Sequence, residues 1–147
     1  MKRIKSILCS VLIIVSVLFL AGCKKDYSSI TYKRFVEKMS DELNYSVTDS
    51  TLDYEDVYQR YYSAIKDDVV INYIEFESEE KAKEYMKTNY YKQKYYSYKD
   101  NDDYSTAKYT KIGYLYVIQV DNMVIKGSTD KNTKTSVVKK VFKELGY

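Results

Sequence analysis

Val69-Val70-Ile71-Asn72-Tyr73-Ile74-Glu75-Phe76 is the stretch on which the fold turns. It is β-branched and aromatic almost throughout and reads as a strand. A strand this apolar needs a neighbour. Lys66-Asp67-Asp68 just before it reads as a turn, which offers the preceding segment as the partner. That segment is ambiguous. Tyr54, Val57, Tyr58, Tyr61, Tyr62 and Ile65 have helical spacing, while Tyr61-Tyr62-Ser63-Ala64-Ile65 equally suits a strand. The hairpin is preferred, and the helix stays open.

A second hairpin is better marked. Tyr114 to Val120 and Met123 to Lys126 flank Asp121-Asn122, and Asp and Asn tolerate the positive φ of a two-residue turn. Helical patterns surround the two hairpins. Thr31 reads as an N-cap, with Ile30 and Phe35 spaced as a hydrophobic staple. Tyr32, Phe35, Val36, Met39 and Leu43 then share one face, and Asn44 suits the left-handed stop. Ser78 caps a second helix, with Glu79 and Glu80 at its positive end and Ala82, Tyr85, Met86, Asn89 and Tyr90 inside. Thr133 or Thr135 caps a third, with Val137, Val138, Val141, Phe142 and Leu145 on one side and Gly146 as its C-cap. Residues 45–56 and 97–108 read as polar loops. The expected fold is α+β: an antiparallel sheet of about four strands with about three helices over one face, in the order helix-hairpin-helix-hairpin-helix.

The 147 residues hold 24 Lys and Arg against 21 Asp and Glu. Lys2, Arg3 and Lys5 account for the whole excess, so the chain after residue 22 is neutral. That argues against a nucleic-acid partner, which demands surplus cations. Charge is nevertheless segregated along the chain: +3 over residues 23–36, −9 over 37–84 and +6 over 85–147. Either the segments neutralise one another in the fold, or a basic surface faces an anionic polymer or headgroup. All 19 Tyr follow residue 26, with few Phe and no Trp or Pro. Their rings must supply much of the core. AT-rich coding DNA is the plain explanation of their number.

The first residues, Met1-Lys2-Arg3-Ile4-Lys5, are basic, and Ile7 to Leu20 is apolar but short for a membrane span. Leu20-Ala21-Gly22-Cys23 follows, and it resembles the lipobox of bacterial lipoproteins. The resemblance implies that Leu20, Ala21 and Gly22 are read by the signal peptidase and that a diacylglycerol, with chains such as palmitate, is joined to the Cys23 sulfur. It implies a cut before Cys23, with lipid as the partner of that residue and the extracytoplasmic face of the cell membrane as the location. Two acyl chains, at about 0.8 kcal/mol per buried CH₂, hold where one is marginal. Residues 1–22 are then the signal peptide, 23–29 the lipidated tether and 30–147 one domain. Cys9 leaves with the leader and Cys23 is acylated, so no disulfide forms within the domain. The domain also resembles the small uncharacterised lipoproteins of low-G+C Gram-positive bacteria. Residues 70–85 and the ending Phe142-Lys-Glu-Leu-Gly-Tyr147 carry that likeness, and it brings no assigned active site to carry over.

Much chemistry is excluded. With no His there is no His-based triad and no HExxH zinc site. Gly113, Gly127 and Gly146 cannot write a phosphate-cradling Gly loop. Ser63…Lys66 and Ser78…Lys81 have the Ser-x-x-Lys spacing, without its companion motifs. Asp100-Asn101-Asp102-Asp103 fails the Ca²⁺-loop pattern, since Ser105 and Lys111 stand where Gly and Glu are needed. No catalytic residue, metal site or cofactor is expected. One stretch invites a ligand. Tyr90, Tyr91, Lys92, Lys94, Tyr95, Tyr96, Tyr98 and Lys99 interleave rings with positive charge, which suits sugars or phosphates. The plainer alternative is a helix end snorkelling Tyr and Lys over the core. The sequence thus points to a membrane-anchored, non-enzymatic binding module of unspecified ligand. The alternative is a binder of anionic cell-wall polymer or carbohydrate through residues 90–99, and a carboxylate hydrolase comes last.

Overall fold

The computed structural model describes residues 27–147. Leu20, Ala21, Gly22 and Cys23 lie outside the described residues, as does the whole expected signal peptide. Helix α1 spans Tyr32–Glu37 and runs on as a π-helical turn over Lys38–Glu42. Strands β1 (Ser46–Asp49), β2 (Arg60–Lys66) and β3 (Val69–Glu75) follow, with a 3₁₀ turn at Thr51–Tyr54. Then come α2 (Glu79–Tyr90), β4 (Ser97–Asp100), β5 (Tyr104–Tyr109), β6 (Tyr114–Val120) and β7 (Met123–Thr129). A 3₁₀ turn at Asn132–Lys134 leads into α3 (Thr135–Glu144). All seven strands form one antiparallel sheet in the order β1-β2-β3-β7-β6-β5-β4.

The expected sheet of about four strands is too small, and the expected helix-hairpin-helix-hairpin-helix order does not hold. Between the helices run a three-strand and a four-strand meander. The three additional strands are β1, β4 and β5, cut from the segments read as polar loops. Their residues are polar because β1 and β4 are the two edges and β5 lies next to β4, where one or both faces meet solvent. The segment left ambiguous before Lys66 is strand β2, paired along its length with β3. Asp67 and Asp68 both take positive φ (46° and 65°) between them, as a primed two-residue turn requires.

The helices do not share one face. Phe35 and Met39 of α1 and Val138, Val141 and Phe142 of α3 bury against Ile71, Ile118 and Ile125. Ala82, Met86 and Tyr90 of α2 bury against Ala107, Val117 and Val124, which alternate to the opposite side. The helix after each meander therefore packs on a different face. Thr31 and Ser78 cap α1 and α2, accepting from the Arg34 and Lys81 amides. Neither Thr133 nor Thr135 caps α3: Thr133 sits in the 3₁₀ turn and Thr135 is already helical.

Tyr27, Ser28 and Ser29, assigned by sequence to the tether, touch the domain. The Tyr147 hydroxyl donates to the Ser28 carbonyl at 2.8 Å, and Ser29 Oγ donates to Asp121 Oδ2 at 2.6 Å. The Tyr73 hydroxyl reaches the Ile30 carbonyl at 3.3 Å. The chain therefore enters beside the β6–β7 turn. No helix among the described residues is long and apolar enough to cross a membrane.

Candidate functional site

Antiparallel pairing sorts the connections to two ends of the sheet. At the end where Ser29 meets Asp121 lie residues 49–60, 75–79, 100–104 and 120–123. These four stretches hold eleven acids and one base, Arg60, which itself grips Glu75 at 2.8 Å. At the other end lie residues 66–69, 90–97, 109–114 and 129–135, with six lysines and three aspartates. Strand pairing thus sorts charge to two poles of the domain, each drawing on both the −9 and the +6 segments of the sequence. An acidic pole surrounds the point where the chain enters, and a basic pole lies opposite. A seven-residue strand, at 3.3 Å per residue, separates the poles by about 23 Å.

The basic pole carries exposed rings as well as lysines. After α2 the chain turns through Lys92, at φ 57°, and reaches β4 by Tyr95 and Tyr96. Lys94 Nζ stands 5.3 Å from the Tyr95 ring centre and Lys111 Nζ 4.3 Å from it, so two cations share one ring. Lys92 lies 5.1 Å from the Tyr91 ring. Tyr91 and Tyr95 are half exposed, and Ile112, on the neighbouring turn, is 74% exposed. Tyr96 packs on Tyr109 at 5.4 Å and helps line a shallow depression with Ile112, Leu115 and Asp130.

Of the eight residues singled out by sequence, the fold brings Tyr91, Lys92, Lys94, Tyr95 and Tyr96 to this pole. Tyr90 and Tyr98 join it only through ring contacts to Tyr96 and Tyr91, and Lys99 leaves it. Tyr90 is buried beside Met86, and burial raises its phenol far above the ordinary range. The Tyr98 ring packs on Tyr91 at 5.6 Å, and its buried hydroxyl finds no hydrogen-bond partner among the described residues. Lys99 alternates to the opposite face of the sheet. The sequence reading missed Lys111, Tyr109 and Ile112, which the β5–β6 turn delivers. A positive-φ Gly113 behind Lys111-Ile112 was the signal that a turn exposes them.

The two Ser-x-x-Lys spacings place nothing catalytic together. Ser63 Oγ donates to Asn72 Oδ1 on one face, while Lys66, three residues on and on the other face, donates to the Leu43 carbonyl at 2.9 Å. Ser78 is occupied as a cap, and Lys81 pairs with Glu84. Asp102 and Asp103 form the β4–β5 turn, and no group of three metal-ligating side chains occurs among the described residues. No protein-family model matches this chain, and no curated protein sequence does.

Proposed function

We propose that the protein is a lipid-anchored, non-enzymatic binding module on the outer face of the cytoplasmic membrane, presenting its basic, tyrosine-bearing pole outward to an anionic cell-wall polymer or carbohydrate. The observation that carries this reading is the opposition of the two poles about the entering chain. Tyr27 is four positions after Cys23, and four residues span at most about 14 Å. An acyl group on Cys23 therefore keeps the acidic pole near the bilayer. Anionic headgroups repel that pole. The lysines and exposed rings then point away from the membrane, where anionic polymer is met. Stacking on sugar rings and cation contacts to phosphate are additive and tolerant of polymer sequence.

The test has two arms. Intact-mass measurement of the native protein is expected to show an added diacylglycerol, with Cys23→Ala releasing the domain from the membrane fraction. Co-sedimentation of the full chain with purified anionic wall polymer is expected to weaken steeply with salt, and Lys92→Gln/Lys94→Gln/Lys111→Gln to weaken it at least tenfold. Membrane retention of Cys23→Ala without added lipid overturns the anchor. Unchanged sedimentation of the triple variant overturns the pole.

A further inference from the structure

α1 and α3 cover the middle of their face of the sheet and leave its β4–β5 side open. A groove of about 340 Å³ lies there, lined by Tyr27, Lys99, Tyr104, Thr106, Lys108 and Tyr116, with Ser97 at its rim. The register explains why these side chains converge. Ser97 pairs with Lys108, Lys99 with Thr106, and Lys108 with Tyr116. Strand alternation turns all of them to one face and sends Asp100 to the other. Lys99 and Lys108 are diagonal neighbours on the β4–β5 ladder, within reach of one small group.

The groove is unusual for an edge of a sheet. Among the described residues neither lysine has an ion-pair partner, and Lys108 Nζ lies over the Tyr114 ring at 5.9 Å. Two cations side by side on an open ladder repel each other, and an anion between them reverses that cost. One wall is aromatic: Tyr27 meets Tyr104 edge-on at 4.7 Å and Tyr147 at 5.7 Å. The rest offers hydroxyls from Ser97, Thr106 and Tyr116. Burial, with neighbouring phenols, holds the Tyr116 hydroxyl protonated and able to donate. The volume sits at the small end of ligand pockets.

We infer that this groove is a second ligand site, which takes the phosphate ester of a small polyol. The phosphate lies between Lys99 and Lys108. The polyol hydroxyls meet Ser97, Thr106 and Tyr116, and its C–H edge lies against Tyr104. The site lies on a sheet face rather than on the basic pole, so it stands or falls independently of the polymer reading. The ester has two sources, a soluble or polymeric polyol phosphate and the headgroup of a polyol phospholipid.

The experiment is a titration of isotope-labelled full-length chain, held in neutral phosphatidylcholine nanodiscs, followed by amide chemical shifts. Added glycerol 3-phosphate is expected to shift Lys99, Thr106, Lys108 and Tyr116 saturably. Lys99→Gln/Lys108→Gln, both at exposed positions, is expected to weaken binding at least tenfold, with spectral dispersion retained. Lys92→Gln/Lys94→Gln at the pole is expected to leave it unchanged. Inorganic phosphate is expected to bind at least threefold more weakly, since it lacks the hydroxyls. Nanodiscs containing phosphatidylglycerol that reproduce the shifts without added ester identify the headgroup as the source, and shifts seen only with free ester identify the soluble one. Absence of saturable shifts, undiminished binding in the Lys99/Lys108 double variant, or equal binding of inorganic phosphate overturns the assignment.

Discussion

A methyl group added at Gly127 would land on the Phe142 ring and within 2.9 Å of Val138 and 3.0 Å of Ile71. Gly127 sits on β7 directly beneath α3, and its missing side chain is what lets the helix approach the sheet. Its φ is ordinary, so the requirement is close approach and not backbone freedom. Gly127→Ala is therefore expected to cost about 1–3 kcal/mol by overpacking. The check is the urea midpoint, which falls while the slope of the transition stays constant. Other core positions are satisfied chemically. Gln119, fully buried, accepts from Ser105 Oγ at 3.0 Å and donates to the Asp121 carbonyl at 2.7 Å. That pair fixes the β5–β6 register from inside and supports the turn that Ser29 grips.

At the level of elements, α2 shows how local signals and packing agree. Ser78 is extended (φ −149°, ψ 165°) and accepts from the Lys81 amide, and Glu79 and Glu80 follow at the positive helix end. Ser78→Ala is expected to cost about 1 kcal/mol. Amide exchange should speed first in residues 79–82, because the cap is lost there while Met86 and Tyr90 still hold the far end. This helix was legible in the sequence because cap, dipole charges and apolar stripe coincide. So were β3, β6 and β7, which lie centrally and are apolar on both faces. The outer strands β1, β4 and β5 were not. Tyr104-Ser105-Thr106-Ala107-Lys108-Tyr109 alternates, with Ser105 and Ala107 buried and Lys108 exposed, but its small buried residues gave no hydrophobic signal. The candidate site suffered for the same reason. Residues 90–99 interleave rings and lysines and suggest one surface or a helix end, whereas β4 begins at Ser97 and alternation throws Tyr98 and Lys99 to opposite faces. The lysine that joins Tyr95, Lys111, comes from a turn 16 residues on, and only strand pairing brings it there.

For the whole molecule, protons rather than contacts set the limits of stability. The ion-paired carboxylates and lysines and the buried phenols are moved outward from neutrality. Lys38 bonding holds Glu42 low, Lys131 holds Asp68 low, and hydrogen bonds from Thr51 hold Asp49 low. Their contribution is present above the ordinary carboxylate value, about pH 4, and is lost as pH falls through the depressed folded values. Stability is therefore expected to be flat across neutrality, where there is no His to titrate. The alkaline side is steeper. Burial raises the phenols of Tyr73, Tyr90, Tyr116 and Tyr147 well above their ordinary range. An unfolded chain gives up these protons near pH 10, while the folded one retains them. The folded state then binds more protons, so stability is intact below about pH 10 and falls as pH rises toward the folded values. Each such tyrosine removes about 1.4 kcal/mol per pH unit. Four acting together exhaust a stability of about 5–15 kcal/mol within roughly one to three units. With 19 Tyr and no Trp, the phenolate absorbance reports on tyrosine alone. The expected titration has two phases. Phenols outside the buried set ionise first, and the buried set ionises later in one cooperative step that coincides with loss of the sheet's circular dichroism. A single gradual titration near pH 10 with the sheet intact would show that these rings are not the closed core of this fold.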